Sequence, residues 1–189
     1  MSLPKIKLVR LLEEYQPFVI DAEEKILFQE LHDFVKKTKA PYDRKKERHI
    51  TASVIVINQT LDKVLLVFSK KYKQWFQPGG HLERGEDPFL GAKRELKEET
   101  GIDGGECFSA IFDIDIHRAI HTDEPSKTFA HLDLRFLCIV DDGTPLRGGS
   151  REIEKVSWQP LQNMGDESLG ASRIRLARKI AALSRVLEE

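Results

Sequence analysis

The stretch that decides the reading is Gly79-Gly80-His81-Leu82-Glu83-Arg84-Gly85-Glu86-Asp87-Pro88-Phe89-Leu90-Gly91-Ala92-Lys93-Arg94-Glu95-Leu96-Lys97-Glu98-Glu99-Thr100-Gly101-Ile102. Glycines at 79, 80 and 85 give a backbone that takes left-handed angles and approaches a ligand closely. Asp87 has the side chain of an N-cap, and Pro88 suits the first helical position, where a missing N–H is no loss. Gly101 is a natural stop, so the spacing predicts a helix over residues 87–100 with Phe89, Ala92 and Leu96 as its buried stripe. Glu95, Glu98 and Glu99 stand at i, i+3 and i+4, which gathers three carboxylates on one face. Each like-charged pair at that spacing opposes helix formation by roughly 0.2–0.5 kcal/mol. A cation removes that penalty, and crowded hard oxygens are what Mg2+ or Mn2+ accepts. Arg94 points off this face and reaches Glu98 or Glu86 to hold a ligand carboxylate in place. Taken alone, the Arg-Glu-Leu-Lys-Glu-Glu run is more often a solvated acidic face.

Upstream, residues 51–57 and 64–68 are apolar runs around a polar turn, a hairpin pattern, followed by Trp75 and Phe76. Downstream, strand patterns cover 108–119 and 132–140, joined by a charged, proline-containing loop at 121–127. A glycine-rich polar loop at 141–150 precedes a short strand at 156–158. A last amphipathic helix at about 171–187 turns Ile174, Ala177, Ile180, Ala181 and Leu187 to one side. Residues 1–48 read as two helices. The first covers 5–15, with Ile6, Leu8, Val9, Leu11, Leu12 and Tyr15 at helical spacings, and ends at Pro17. The second begins at Asp21, whose pairing with Glu24 is a capping-box pattern, and carries Ile26, Leu27, Leu31, Phe34 and Val35 up to a stop at Pro41. The expected class is α+β, an αβα sandwich with a mixed sheet. Residues 1–48 form an N-terminal helical extension and residues 49–189 one domain.

At 189 residues the chain is long enough for a proper core. It is 40% hydrophobic and 32% charged, with 30 Lys plus Arg against 31 Asp plus Glu. That balance supplies no global field for DNA or an acidic membrane. The second N-terminal helix exposes Glu23, Glu24, Glu30 and Asp33, which a phosphate backbone repels, so no nucleic-acid partner is expected. Packing, or a homodimer, is the expected use of that segment. No apolar run approaches bilayer-spanning length and the N-terminus lacks a leader pattern, so no membrane partner and a cytoplasmic location are expected. Cys107 and Cys138 are expected as reduced, small core residues rather than a disulfide or zinc site.

Gly80, five residues, Glu86, seven residues, Arg94-Glu95-Leu96, one residue, Glu98-Glu99, one residue and Gly101-Ile102 make nine fixed positions. A random chain of this length carries such a match on the order of once in ten million. The pattern resembles the box of the Nudix hydrolase family. The resemblance implies a Nudix-like fold and cleavage, by metal-activated water, of a phosphoanhydride bond in a nucleoside diphosphate derivative or nucleoside triphosphate. It implies Mg2+ as cofactor, with Mn2+ as substitute, and a nucleotide-like small molecule as partner. By motif position, Glu95, Glu98 and Glu99 are implied metal ligands, Glu86 a supporting acid or further ligand, and Gly79 a ligand through its carbonyl. Arg94 orients them. The base is implied to be Glu95 or a glutamate outside the box. Glu152 and Glu154 are the candidates there, with Glu152 preferred for its spacing to Trp158.

Substrate choice is less marked. Where ADP-ribose-cleaving members carry a proline, this chain reads Ile116-His117-Arg118; no tyrosine follows Tyr72, as diadenosine polyphosphate hydrolases would have it; the added pattern of coenzyme A pyrophosphatases is absent. Asp113, Asp115 and His117 alternate on one strand, and His131, Asp133 and Arg135 on the next. Paired, they line a polar patch that binds substrate or a further metal, or is a set of mutually satisfied groups. Trp75 and Lys73, beside Lys70 and Lys71, offer a stacking face and a cation for phosphates, or simple packing. Three rival functions fit the sequence less well. A nucleotide-binding sensor without catalysis is at odds with the intact box. An isopentenyl diphosphate isomerase needs a reactive cysteine. A transcription regulator needs more chain than the roughly thirty residues after Trp158.

Overall fold

Polar and apolar residues alternate at the start of β1 (Arg48–Asn58) and give way to an unbroken apolar run, so the strand is buried on both faces from His49 onward. In the computed structural model, which describes residues 3–120, 128–148, 152–165 and 171–187, this strand is the middle of the sheet. The remaining elements are α1 (Leu3–Tyr15), α2 (Ala22–Lys37), β2 (Lys63–Ser69), β3 (Trp75–Phe76), β4 (Gly79–His81), α3 (Pro88–Thr100), β5 (Glu106–Ile120), β6 (Thr128–Val140), β7 (Ile153–Pro160) and α4 (Ala171–Leu187). The hydrogen-bonded order is β3-β2-β1-β6-β5, with β4 added to β1 and β7 to β2. The class is α+β with a mixed sheet and an N-terminal helical part. The loop expected at 121–127 lies outside the described residues.

The chain forms two compact units. The first comprises Met1–Val54, Gly79–Glu95 and Phe108–Phe136. Here Asp21 caps α2 by accepting from Glu24 N at 2.8 Å. The reciprocal half of the expected capping box is replaced. Glu24 is fully buried, accepts from Ile20 N at 2.8 Å and takes the Tyr15 hydroxyl. That anchor rotates the helix relative to its apolar spacing: Phe28, Leu31 and Val35 are buried with Leu8, Leu12 and Tyr15, while Ile26 and Ile6 face outward. Arg48 pairs with Glu30 at 2.7 Å and lies over the Phe34 ring, tying α2 to β1. β4 pairs antiparallel with β1, Thr51 opposite His81 and Ser53 opposite Gly79.

The second unit comprises Ile55–Pro78, Leu96–Cys107 and Leu137–Glu189. The expected hairpin is present, with Ile57 opposite Val64, and β7 pairs along β2 from Lys63 opposite Pro160 to Ser69 opposite Ile153. α4 has the expected span; among its described side chains the buried ones are Arg175, Leu176, Lys179 and Ile180, Ala181 is exposed, and the Leu187 side chain lies outside the described residues. Arg173 donates to the Trp75 carbonyl at 2.6 Å. The expectation of reduced cysteines is overturned: Cys107 and Cys138 form a disulfide. Residues 31 apart in sequence are brought to a Cα–Cα separation of 4.0 Å by the β5–β6 pairing, which spacing alone does not reveal. Among the described residues, no helix is long and apolar enough to cross a membrane.

Candidate active site

The box helix forms where its caps place it. Asp87 Oδ1 accepts from Phe89 N at 3.0 Å and Leu90 N at 3.3 Å, satisfying the first-turn donors. At the other end Gly101 takes a φ of 78°, and its N–H bonds Lys97 O at 2.9 Å. Ala92 and Leu96 are buried, and Phe89 meets Phe136 of β6 edge-on with ring centres 5.5 Å apart. The helix is continuous from Pro88 to Thr100, so Glu95, Glu98 and Glu99 share one face by helical geometry.

Two glycines have steric reasons to be there. A Cβ on Gly80 would sit 2.8–2.9 Å from the three carboxylate atoms of Glu95, so only glycine lets that side chain lie against β4. A Cβ on Gly79 would meet Ser53 Cβ at 2.3 Å.

Arg94 is the hub of the loop before the helix. Its Nε and Nη2 donate to the two oxygens of Glu86 at 2.9 and 3.0 Å, a bidentate fork. Nη1 donates to Glu95 at 2.8 Å, and Nη2 also reaches the His81 carbonyl at 3.1 Å. Glu86, one of the two partners expected for Arg94, is thus engaged through both of its oxygens. Glu86 also accepts from Glu83 N at 2.8 Å. The Arg94 hydrogen bonds hold the Glu86 carboxyl below the ordinary carboxylate range, with the Glu83 amide adding to the effect, against a smaller opposing effect of burial.

The polar residues of β5 and β6 do come together. Arg135 donates to Asp113 at 3.0 Å and Asp115 at 2.6 Å, and lies 3.4 Å from Asp133. Burial alone would lower the Arg135 pKa, but Asp115, Asp113 and Asp133 outweigh it and push it up. Asp133 accepts from the Thr51 and Ser53 hydroxyls at 2.8 and 2.6 Å. His131 Nδ1 lies 3.2 Å from His117 Nε2. β1 contributes His49, Thr51 and Ser53 to the same patch. Their signal was the alternation of polar residues with Ile50, Ala52 and Val54, which a strand begun at residue 51 does not exploit.

In the second unit Trp75 packs edge-on against Phe68, with ring centres 5.3 Å apart. Lys73 pairs with Glu154 at 3.2 Å. Glu152 is exposed just before β7, and its backbone carbonyl accepts from Lys70 N at 2.9 Å.

With this geometry in place, the relatives fall into one group. The NUDIX domain family matches residues 47–180. A curated relative, Nudix hydrolase 7 of Arabidopsis thaliana, is 31% identical over 124 residues, covering 62% of this chain and 41% of that protein. An RNA pyrophosphohydrolase of Rhodopseudomonas palustris is 32% identical over 130 residues, covering 59% of this chain and 71% of that protein. The chain spans about two fifths of the length of the first curated relatives it matches. Among solved structures, an Ap4A hydrolase from C. elegans in a binary complex has a similar fold. Its TM-score is 0.57 at 19% identity, covering 72% of this chain and 97% of that one. The match across more than two thirds of the sequence, with every box position intact from Gly80 to Ile102, shows that the chain belongs to the Nudix family.

Proposed function

We propose that this chain hydrolyses a phosphoanhydride bond in a nucleotide-like small molecule, a nucleoside diphosphate derivative or a nucleoside triphosphate, with Mg2+ as cofactor and Mn2+ as substitute. One observation carries the reading: the complete box on an uninterrupted helix, with Arg94 binding Glu86 and Glu95 at once. The RNA pyrophosphohydrolase among the relatives supports the reaction class.

The donor set fits a hard divalent cation: Glu95, Glu98 and Glu99 offer oxygens on one turn, and the absent Cβ at Gly80 gives Glu95 its place. When bound, such a cation neutralises phosphate oxygens and lowers the pKa of the attacking water. The chain's residues set the geometry. Arg94 fixes Glu95, and Glu86 fixes Arg94. Both Glu86 oxygens already accept hydrogen bonds, which favours support over direct ligation. The Gly79 carbonyl is proposed as a further ligand. Glu152 is proposed as the base: it is exposed ahead of β7, whereas Glu95 is already held by Arg94. Trp75 and Lys73 are proposed to meet the base and the phosphates.

The test is a screen of nucleoside diphosphate derivatives and triphosphates with Mg2+ and Mn2+, read as phosphate released after phosphatase coupling. Metal-dependent release from at least one class is expected. Binding without any release across the panel would overturn the hydrolase reading.

A further inference from the structure

Outside the box carboxylates, the first unit brings four imidazoles together from four strands. His49 of β1, His81 of β4 and His131 of β6 each offer a ring nitrogen, and these three atoms lie within 4.8 Å of one another. The rings pack around one point, with centres 4.9–5.1 Å apart in all three pairs. His117 of β5 stands behind His131. We propose that His49, His81 and His131 bind a borderline transition-metal cation, Zn2+ foremost, at a site separate in its ligand chemistry from the Mg2+-type carboxylates of the box.

The chemistry of His49 is the strongest support. Its side chain is 1% exposed, and its Nε2 is buried with no hydrogen-bond partner. Native interiors rarely leave such an atom unsatisfied, and an absent ion is one of the standard reasons. Its Nδ1 lies 2.9 Å from the Lys46 carbonyl. A carbonyl only accepts, so Nδ1 carries the proton and Nε2 presents a lone pair. That is the tautomer a metal ligand needs, with the second nitrogen held by an outer partner.

Asp133, two residues from His131, accepts from Thr51, Ser53 and Arg135. Zinc–nitrogen bonds of about 2.0–2.1 Å place tetrahedral ligands about 3.3 Å apart, so nitrogens within 4.8 Å of one another need close by no more than about 1.5 Å. His81 is exposed and β4 is a short strand, so its side chain has the room to supply that motion. Imidazole suits zinc, copper or nickel, whereas Mg2+ prefers carboxylate and water. Three neutral histidines keep the dipositive charge and leave a fourth position for water or an anionic oxygen. His117 would act as the outer partner of His131, as Lys46 O does for His49.

The test titrates Zn2+ into the full chain in excess Mg2+, by calorimetry and by metal analysis after dialysis, with Co2+ as a spectroscopic substitute. One equivalent is expected, with the visible absorption of four-coordinate, nitrogen-ligated Co2+. His81→Ala, at an exposed position that leaves folding intact, and His131→Ala should each weaken binding by more than about 100-fold. His117→Ala should cost roughly 10–100-fold, the usual penalty for an outer partner. The double variant Glu98→Gln/Glu99→Gln should retain the bound ion. Failure to take up Zn2+ under these conditions would overturn the proposal. So would uptake that survives His81→Ala and His131→Ala, or that disappears with the two glutamates.

Discussion

Replacing Gly80 with alanine separates the proposed role of Glu95 from the stability of the fold. The new Cβ would fall 2.8 Å from Glu95 Cδ and 2.9 Å from both oxygens. Unstrained contacts between carbon atoms sit at roughly 3.5–4.0 Å, so the carboxylate must retreat by about 0.6–1 Å. The obstacle is the far end of a flexible side chain, so little backbone has to move. The Arg94–Glu95 hydrogen bond weakens or follows, and the stability loss should stay within about 2 kcal/mol. Catalysis is far less tolerant, because a displacement of about 1 Å costs on the order of 100-fold in rate. Gly80→Ala should therefore lower kcat by roughly 10–100-fold while unfolding in urea close to wild type. Gly79→Ala is the contrasting variant. Its Cβ would meet Ser53 Cβ at 2.3 Å and Ser53 Cα at 2.6 Å, both fixed to β1. It should destabilise by about 3 kcal/mol or more. The assay is Mg2+-dependent turnover of the best substrate from the screen, alongside urea unfolding. Wild-type kcat in Gly80→Ala, or a loss no larger than its unfolded fraction, would refute the reasoning.

Three further outcomes follow from the packing. Glu86→Gln should cost roughly 1.5–3 kcal/mol at pH 7, the range for hydrogen bonds to charged groups. The folded Glu86 pKa is depressed, so its contribution is present above the unfolded value and is lost as pH falls through the folded one. The gap between Glu86→Gln and wild type should accordingly close in acid-range urea melts, and a gap that widens in acid would contradict the Arg94 fork. Asp133→Ala leaves the buried Arg135 with one acid fewer and the Thr51 and Ser53 hydroxyls without their acceptor. It should lose about 3–5 kcal/mol, and a loss below about 1 kcal/mol in urea unfolding would mean the network is not structural. Cys107→Ser/Cys138→Ser opens a loop closed between residues 31 apart, worth about 3–4 kcal/mol on the chain-entropy account. Thiol titration of the unfolded, unreduced protein should find no free thiol, and two would show the pair to be reduced.

The box helix was legible because each of its signals is local: Asp87, Pro88 and Gly101 set its ends, and three glutamates within one turn declare its face. The hairpin of β1 and β2 was legible for the same reason. What escaped the sequence depends on pairing across distance. Cys107 meets Cys138 only once β5 and β6 are in register. His49 joins the β5–β6 patch only because β6 runs beside β1. In α2 the apolar spacing allowed two faces, and the buried Glu24, bound to Tyr15 and to Ile20 N, selects the one that leaves Ile26 outside. In α4 the long apolar stems of Arg175 and Lys179 occupy buried positions that a pattern of apolar residues alone assigns elsewhere.

The central claim is that the carboxylate face of α3 holds the catalytic metal. Its most direct measurement is the turnover of Glu99→Gln at saturating Mg2+ on the substrate identified by the screen, with circular dichroism and urea unfolding confirming the fold. The account predicts a native fold and a kcat lower by orders of magnitude; a folded Glu99→Gln that turns over at near the wild-type rate would contradict it.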